Sequence, residues 1–289
     1  NRAYAIAIHT GSYATPGAGE PDYRTSFGTS IASQTALTGY PAATVNRHVF
    51  SGLGQTSGGT AMSRTNWTSA STTILGQSSY LNVGVAAQVN YVTRVLTIQC
   101  QVYYTGNSPV STNKLNIAIL QNNVKGPQSG SSGNPTMVTP DGEYLHQHML
   151  RHMITGQWGI SIPNTNTASG TLKVDTTITY TVPADYTGVP VNLAELEIVA
   201  FVAEGNQEII SGSGCTVNQP TIDAAITSIS GLPLIQCTTN PIAPTVVLKN
   251  KGTDVLTSAV INYSVDGGTT VSQNWSGSLA AGATANVTI

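Results

Sequence analysis

The stretch TLKVDTTITYTV, Thr171 to Val182, sets Leu172, Val174, Thr176, Ile178 and Tyr180 against polar neighbours at every second position. A period of two marks a half-buried β-strand, because successive side chains leave opposite faces of a pleat. Four other runs, LNVGVAAQVN, VTRVLTIQCQVYY, KLNIAILQNN and AELEIVAFVAE, have β-type content between turn residues. Residues from about 81 to 215 therefore read as β, with the segment around residues 144–153 left open between strand and helix. Only 8% of residues are charged and the net charge is −2, so nucleic acid and anionic membrane surfaces are not expected partners. No apolar run approaches the roughly 20 residues of a membrane-spanning helix, and no transmembrane segment is expected.

The first 80 residues have another texture. AYAIAIHTG is an apolar run of the kind a strand buried on both faces shows. In DYRTSFGTSIASQTAL, Tyr23, Phe27, Ile31 and Gln34 recur at helical spacing and Asp22 stands ready to cap the start. GYPAATVNRHVF leads through a turn into a second strand, and SRTNWTSASTTILGQ is a weaker helix, which completes an α/β order. From about Pro220, TIDAAITSIS, APTVVLKNKG, SAVINYSVDGG, TVSQNWSG and ATANVTI read as five short strands, with VDGG a hairpin signal. The expected fold is mainly β with an α/β part, in domains spanning 1–80, 81–215 and 216–289. Asn1 is not an initiator Met and the first strand starts almost at once, so the chain reads as beginning inside a longer precursor. Sheets left short by missing strands would offer unpaired edges that other copies or subunits could complete.

Three of the five histidines lie in YLHQHMLRHM. As a strand this would set His146, His148 and His152 on one face, with alternate residues about 6.8 Å apart. As a helix it would bring His148 and His152 to the i, i+4 spacing of a zinc protease. That chemistry needs a glutamate between them, and Gln147, Met149, Leu150 and Arg151 supply none. His146, His148 and His152 are thus candidate metal ligands, with structural hydrogen bonding the favoured reading. Cys215 and Cys237 are a candidate disulfide for an oxidising compartment, and Cys100 reads as a small core residue. A pocket of His9, Tyr13, Arg24, Tyr40 and Arg47 is weighed against hydrogen bonding of His9 and Arg47 to loop backbone, which is favoured. Glu195 and Glu197 read as solvated on one strand face. No nucleophile elbow or phosphate loop is present and no cofactor is expected.

The order of IH, DYRT, YPAATVNR, HQHMLR, GQWG and VAFV along residues 1–213 resembles the outer-membrane-protein-twenty-eight-related family of Bacteroidetes. Residues 220–289 look like the cell-adhesion-related β-sandwich repeats appended to secreted proteins of those bacteria. The resemblance implies an incomplete thioredoxin-like domain followed by two Ig-like β-sandwich units. It makes Tyr40 and Pro41 a cis-proline loop and places a CxxC upstream of AYAIAIH, where this chain has none. DTT at Asp175–Thr177 looks like the O-glycosylation sequence of Bacteroidetes with Thr176 as acceptor, although the alternation buries that residue. The implied function is a secreted or outer-membrane-associated cell-surface protein, exported by the type IX route. Its role would be binding, adhesion or assembly, through surface or secreted protein partners or self-association. The alternative is an extracytoplasmic thiol–disulfide oxidoreductase-like enzyme whose CxxC lies before Asn1. A carbohydrate- or metal-binding module is a third reading, and would need the histidines or exposed aromatics to converge on one cleft.

Overall fold

The computed structural model describes residues 3–163, 169–218, 220–232 and 242–289. The chain is mainly β and divides into two compact units, residues 1–87 with 95–217 and residues 88–94 with 218–289. In the first unit, helices α1 (Ser26–Gln34) and α2 (Trp67–Leu75) precede the main strands. These are β1 (Leu81–Val89), β2 (Val95–Tyr104), β3 (Asn113–Gln121), β4 (Met149–Met153), β5 (Thr171–Thr181), β6 (Leu196–Glu204) and β7 (Ile209–Thr216). One sheet runs β5–β2–β1. The other runs β7–β6–β3–β4, with Ile160–Ser161 also pairing β3.

The strands β3 and β6 are buried on nearly every residue, so their sheet is covered on both faces. On one face, Ala118, Leu120, Leu150, Met153, Val199 and Phe201 form a core against which Tyr4, Ile6, Ile8, Phe27 and Ile209 pack. The opposite face turns toward β2, whose Leu96, Ile98, Cys100, Val102 and Tyr104 are buried at alternate positions. The hydroxyl of Tyr104 fixes that meeting by donating to Asn113 Oδ1 at 2.9 Å. Cys100 is the small core residue expected. On β5, Val174, Thr176, Ile178 and Tyr180 are half-buried while Asp175, Thr177 and Thr179 are exposed, as their alternation predicts. Leu172 departs from the pattern because the register against β2 shifts between Leu172 and Val174.

Several expectations for the first stretch are corrected. AYAIAIHTG is not a strand buried on both faces: only Ala7 makes a bridge, parallel to Met149, through Ala7 N to His148 O and Leu150 N to Ala7 O. Tyr4, Ile6 and Ile8 face the core while Ala3 and Ala5 are exposed, so the segment covers the sheet with one face only. The cap of α1 is Thr25, whose Oγ1 accepts from Gly28 N, and not Asp22, which pairs with Arg24 instead. Tyr23 consequently precedes the helix, and only Phe27 and Ile31 of the predicted stripe turn inward. Beyond Pro41 the strand expected in GYPAATVNRHVF is just Ala42–Ala43, paired with Met62–Ser63. The peptide bond between Tyr40 and Pro41 is cis.

The second unit contains β8 (Ala224–Ser230), β9 (Thr245–Asn250), β10 (Leu256–Tyr263), β11 (Val271–Leu279) and β12 (Thr284–Thr288). They form the sheets β8–β9–β12 and β10–β11 around Val246, Leu248, Leu256, Ile261, Leu279 and Val287. VDGG closes the β10–β11 hairpin, with Asp266 at φ 48° and Gly267 at φ 73°, the two positive angles such turns need.

Candidate functional site

YLHQHMLRHM is neither one strand nor a helix. Tyr144–His146 pairs with Val124–Gly126, while Met149–Met153 is β4 of the central sheet. Between them His148 takes a left-handed φ of 51°, which breaks the alternation that would have set the three imidazoles on one face. The structure therefore sends His146, His148 and His152 to three surroundings. Among the described residues, no three His, Cys, Asp or Glu side chains converge to hold a metal ion.

His148 Nδ1 lies 2.7 Å from Glu197 Oε2, and its backbone N–H donates to Asn122 Oδ1 at 2.8 Å. Glu197, with only 15% of its side chain exposed, is thus a half-buried hydrogen-bond partner of His148 and not the solvated residue expected. Glu195 accepts from Asn123 Nδ2 at 2.8 Å. His146 is buried to 5% exposure among His9, Tyr23 and Tyr144. His152 lies nearly parallel to Tyr180 and Tyr186, at centroid separations of 5.0 and 5.7 Å, with Phe27 edge-on at 5.1 Å. Burial lowers the pKa of His152, so its ring is neutral at pH 7 and can both donate and accept.

His152 opens onto a cavity of about 330 Å³, whose wall includes Tyr23, Arg24, Phe27, Arg151 and Tyr186. Three local devices build it. Thr25 starts α1 at its edge, and Gly28 lets the helix approach Ile8, where a Cβ would come within 2.8 Å of the isoleucine Cγ2. The short pairing of Asp185–Tyr186 with Val189–Pro190 brings Tyr186 over the wall. Beneath, Arg151 is nearly fully buried. Its Nη1 donates to Gln121 Oε1 at 2.9 Å, its Nη2 to Val189 O at 2.7 Å, and its guanidinium lies 5.4 Å from the Tyr186 ring centre. At the mouth Arg24 grips Asp22 through Nε and Nη2 at 2.9 and 2.8 Å, which holds the Asp22 carboxyl below the usual carboxylate range. The wall is aromatic, with two guanidiniums already engaged and one neutral imidazole.

Sequence reasoning named Arg24, Tyr23, Phe27 and His152 without joining them, and it missed Tyr186 and Val189. Their signal was the turn-rich ADYTGVP, a hairpin whose destination only the tertiary structure reveals. The five residues weighed as a pocket do not converge. Tyr13 is exposed and edge-on to Tyr40 at 5.5 Å, while Arg47 is buried between Trp158 and Phe201 at 5.6 and 5.4 Å from their ring centres. Arg47 Nη1 donates to Asn206 O at 3.4 Å. Thr176 sits half-buried in the middle of β5, opposite Cys100. Cys237 lies outside the described residues. Among the described residues Cys215 and Cys100 have no disulfide partner, and burial raises the pKa of both thiols, Cys100 to about 11, unlike a reactive thiolate.

Comparison with known proteins places the class first: residues 29–223 match the family model described as outer membrane protein Omp28. The chain belongs to the Omp28 family, and its place is the outer membrane at the cell surface. No curated protein matches it. Twenty chains of solved structures match. HBP35 of Porphyromonas gingivalis is 15% identical at a TM-score of 0.47, covering 84% of this chain and 77% of that one. A domain of the outer membrane lipoprotein Omp28 from the same organism is 14% identical at 0.32, covering 50% and 92%. Spo0M, a sporulation control protein from Bacillus subtilis, is 9% identical at 0.27, covering 69% and 91%. Among the described residues, no helix is long and apolar enough to cross a membrane.

Proposed function

We propose that the protein is a cell-surface binding protein whose first-unit cavity holds a small ligand, or one side chain of a larger partner, by aromatic packing. The cavity itself carries this reading: ligand sites are concave, about 300–1,000 Å³, mostly apolar, with a few placed polar groups. Phe27 and Tyr186 offer the apolar faces, and His152 and Arg24 the polar anchors. The exposed Ser26 lines the mouth, so Ser26→Trp would set an indole there at little cost to the fold. Saturation-transfer NMR with N-acetyltyrosinamide and N-acetylleucinamide tests the reading. Transfer to the native protein that disappears in Ser26→Trp supports it. No transfer at millimolar ligand, or equal transfer to the variant, overturns it.

Adhesion or assembly has its own observation, in the second unit. Among the described residues strand β8 lies at a sheet edge with Ile226 and Ile229 about half exposed, and an unpaired apolar edge is a template for another strand. Sedimentation of the native chain and of Ile226→Lys/Ile229→Lys tests it: association lost in the variant supports assembly, and a native monomer at all concentrations refutes it. The helices α1 and α2 beside the short Ala42–Ala43 and Met62–Ser63 pairing support a thioredoxin-like part in residues 1–80, ahead of the β-rich 81–215. The two facing sheets of 216–289 support an Ig-like sandwich.

A further inference from the structure

His9 Nδ1 and His146 Nε2 are both buried without a hydrogen-bond partner. Buried polar nitrogens rarely stay unpaired in a folded protein, and each one calls for a partner. The two rings are neighbours, with centroids 5.0 Å apart and planes at 75°, and Tyr23 packs on both at 5.3 and 5.0 Å. The tautomer of His146 follows from its other contact. Its ring hydrogen-bonds the backbone of Pro127, and proline has no N–H, so the carbonyl accepts. Since Nε2 is the unpaired atom, Nδ1 is the donor and Nε2 presents a bare lone pair. An imidazole oriented by a carbonyl at one nitrogen and left open at the other is the usual arrangement of a metal-binding histidine.

We propose that His9 and His146 form a two-imidazole site for a divalent first-row transition-metal ion such as Zn(II), with exogenous ligands completing the coordination. The ring spacing fits this geometry. A metal–nitrogen bond of about 2.0–2.1 Å puts each ring centre a little over ~3 Å from the ion, so two imidazoles on a tetrahedral centre stand about 5 Å apart and two on a linear centre about 6 Å. The observed 5.0 Å equals the tetrahedral spacing, although the Tyr23 ring packs on His146 at the same distance. Neutral imidazoles suit such ions better than hard ones. Burial and the neighbouring His146 push the pKa of His9 down to about 4, and burial lowers that of His146, so protons do not compete for either ring at pH 7. The carboxylates of Glu143 and Glu20 act on the Tyr23 phenol in the sense that favours a cation nearby, and Arg151 acts against it. The Tyr23 hydroxyl is engaged, donating to Lys125 O at 2.7 Å. This site is a different pairing from the histidines of one strand face, and it stands on an observation separate from the cavity.

The test is calorimetric titration of the metal-stripped, untagged native chain with Zn(II), alongside long-range ¹H–¹⁵N spectra of its imidazoles. One bound ion is expected, with the nitrogen shifts of His9 Nδ1 and His146 Nε2 moving from free lone pair to metal-bound values. His9→Gln and His146→Gln should each weaken binding by at least about tenfold, while His148→Gln should leave it unchanged. The proposal is overturned if the native chain takes up no ion at millimolar Zn(II), or if the shifts are confined to His48, His148 or His152. The spectra need no substitution, so a variant that fails to fold does not blunt the test.

Discussion

Replacing Asn113 with leucine should cost the first unit about 3 kcal/mol, and also removing the Tyr104 hydroxyl should return part of that loss. Asn113 is 1% exposed and gathers three partners: its Oδ1 accepts from Tyr104 Oη and, in competition with Val110 O for the one hydroxyl proton, from Ser108 Oγ, and its Nδ2 donates to Tyr80 Oη, each at 2.9 Å. Leucine has nearly the same shape, so the loss is polar and not a cavity. Ser108 Oγ keeps a bond to Val110 O and Tyr80 Oη keeps Glu204 Oε1, so these two lose about 1 kcal/mol between them. Tyr104 has no exposed surface, and its hydroxyl would be left with no acceptor at a cost of about 1–3 kcal/mol. Tyr104→Phe alone should cost about 1 kcal/mol, because Asn113 Oδ1 still has Ser108. The double variant should then be more stable than Asn113→Leu, a coupling of about 1–3 kcal/mol. Urea unfolding followed by tryptophan emission measures all four proteins. An Asn113→Leu protein as stable as the native one, or a double variant less stable than Asn113→Leu, would refute this account.

Other outcomes follow from the cavity and its supports. Leu150→Ala removes a 2% exposed side chain from the core behind the cavity and should cost about 2–5 kcal/mol in the same assay. Gly28→Val should lower the melting temperature, because a Cβ there already meets Ile8 at 2.8 Å; an unchanged melting temperature would mean that α1 does not lie as close as described. His152 gives a pH dependence. Burial holds its folded pKa below the ordinary imidazole value of 6.5, so the unfolded chain takes up the proton first as pH falls. Its contribution is neutral above about 6.5, and stability declines as pH drops from there toward the lowered folded value. His152→Gln should flatten that decline in unfolding curves collected from pH 7 downward.

The legible parts of the fold were those where side-chain period alone decides. Strands β2, β3, β5 and β6 lie where their alternation or apolar runs put them, and VDGG turns where its positive-φ residues allow. The leading segment carried a finer signal, since Tyr4, Ile6 and Ile8 alternate with Ala3, Ala5 and Ala7, and this large–small pattern is that of a one-sided cover. The start of α1 was displaced by three residues because Asp22 and Thr25 are both competent N-caps, and the ion pair with Arg24 engages the first. The cavity was illegible for another reason. Tyr186 reaches His152 through a hairpin more than thirty residues away in sequence, and no local pattern encodes that meeting. The break at His148 was hidden because histidine, although enriched several-fold in the left-handed region, adopts it too seldom to mark a break as glycine does.

That break gives the decapeptide two reading frames. Before His148 the strand serves the Val124–Gly126 pairing, after it the central sheet, and the side-chain parity of one part says nothing about the other. The position is held from three sides: the backbone N–H by Asn122, the carbonyl by Ala7 N, and the ring by Glu197. A relative could exchange His148 for glycine or asparagine and keep both frames. Gaining or losing one residue there would shift one frame against the other and turn either His146 or the row of Leu150 to the wrong side.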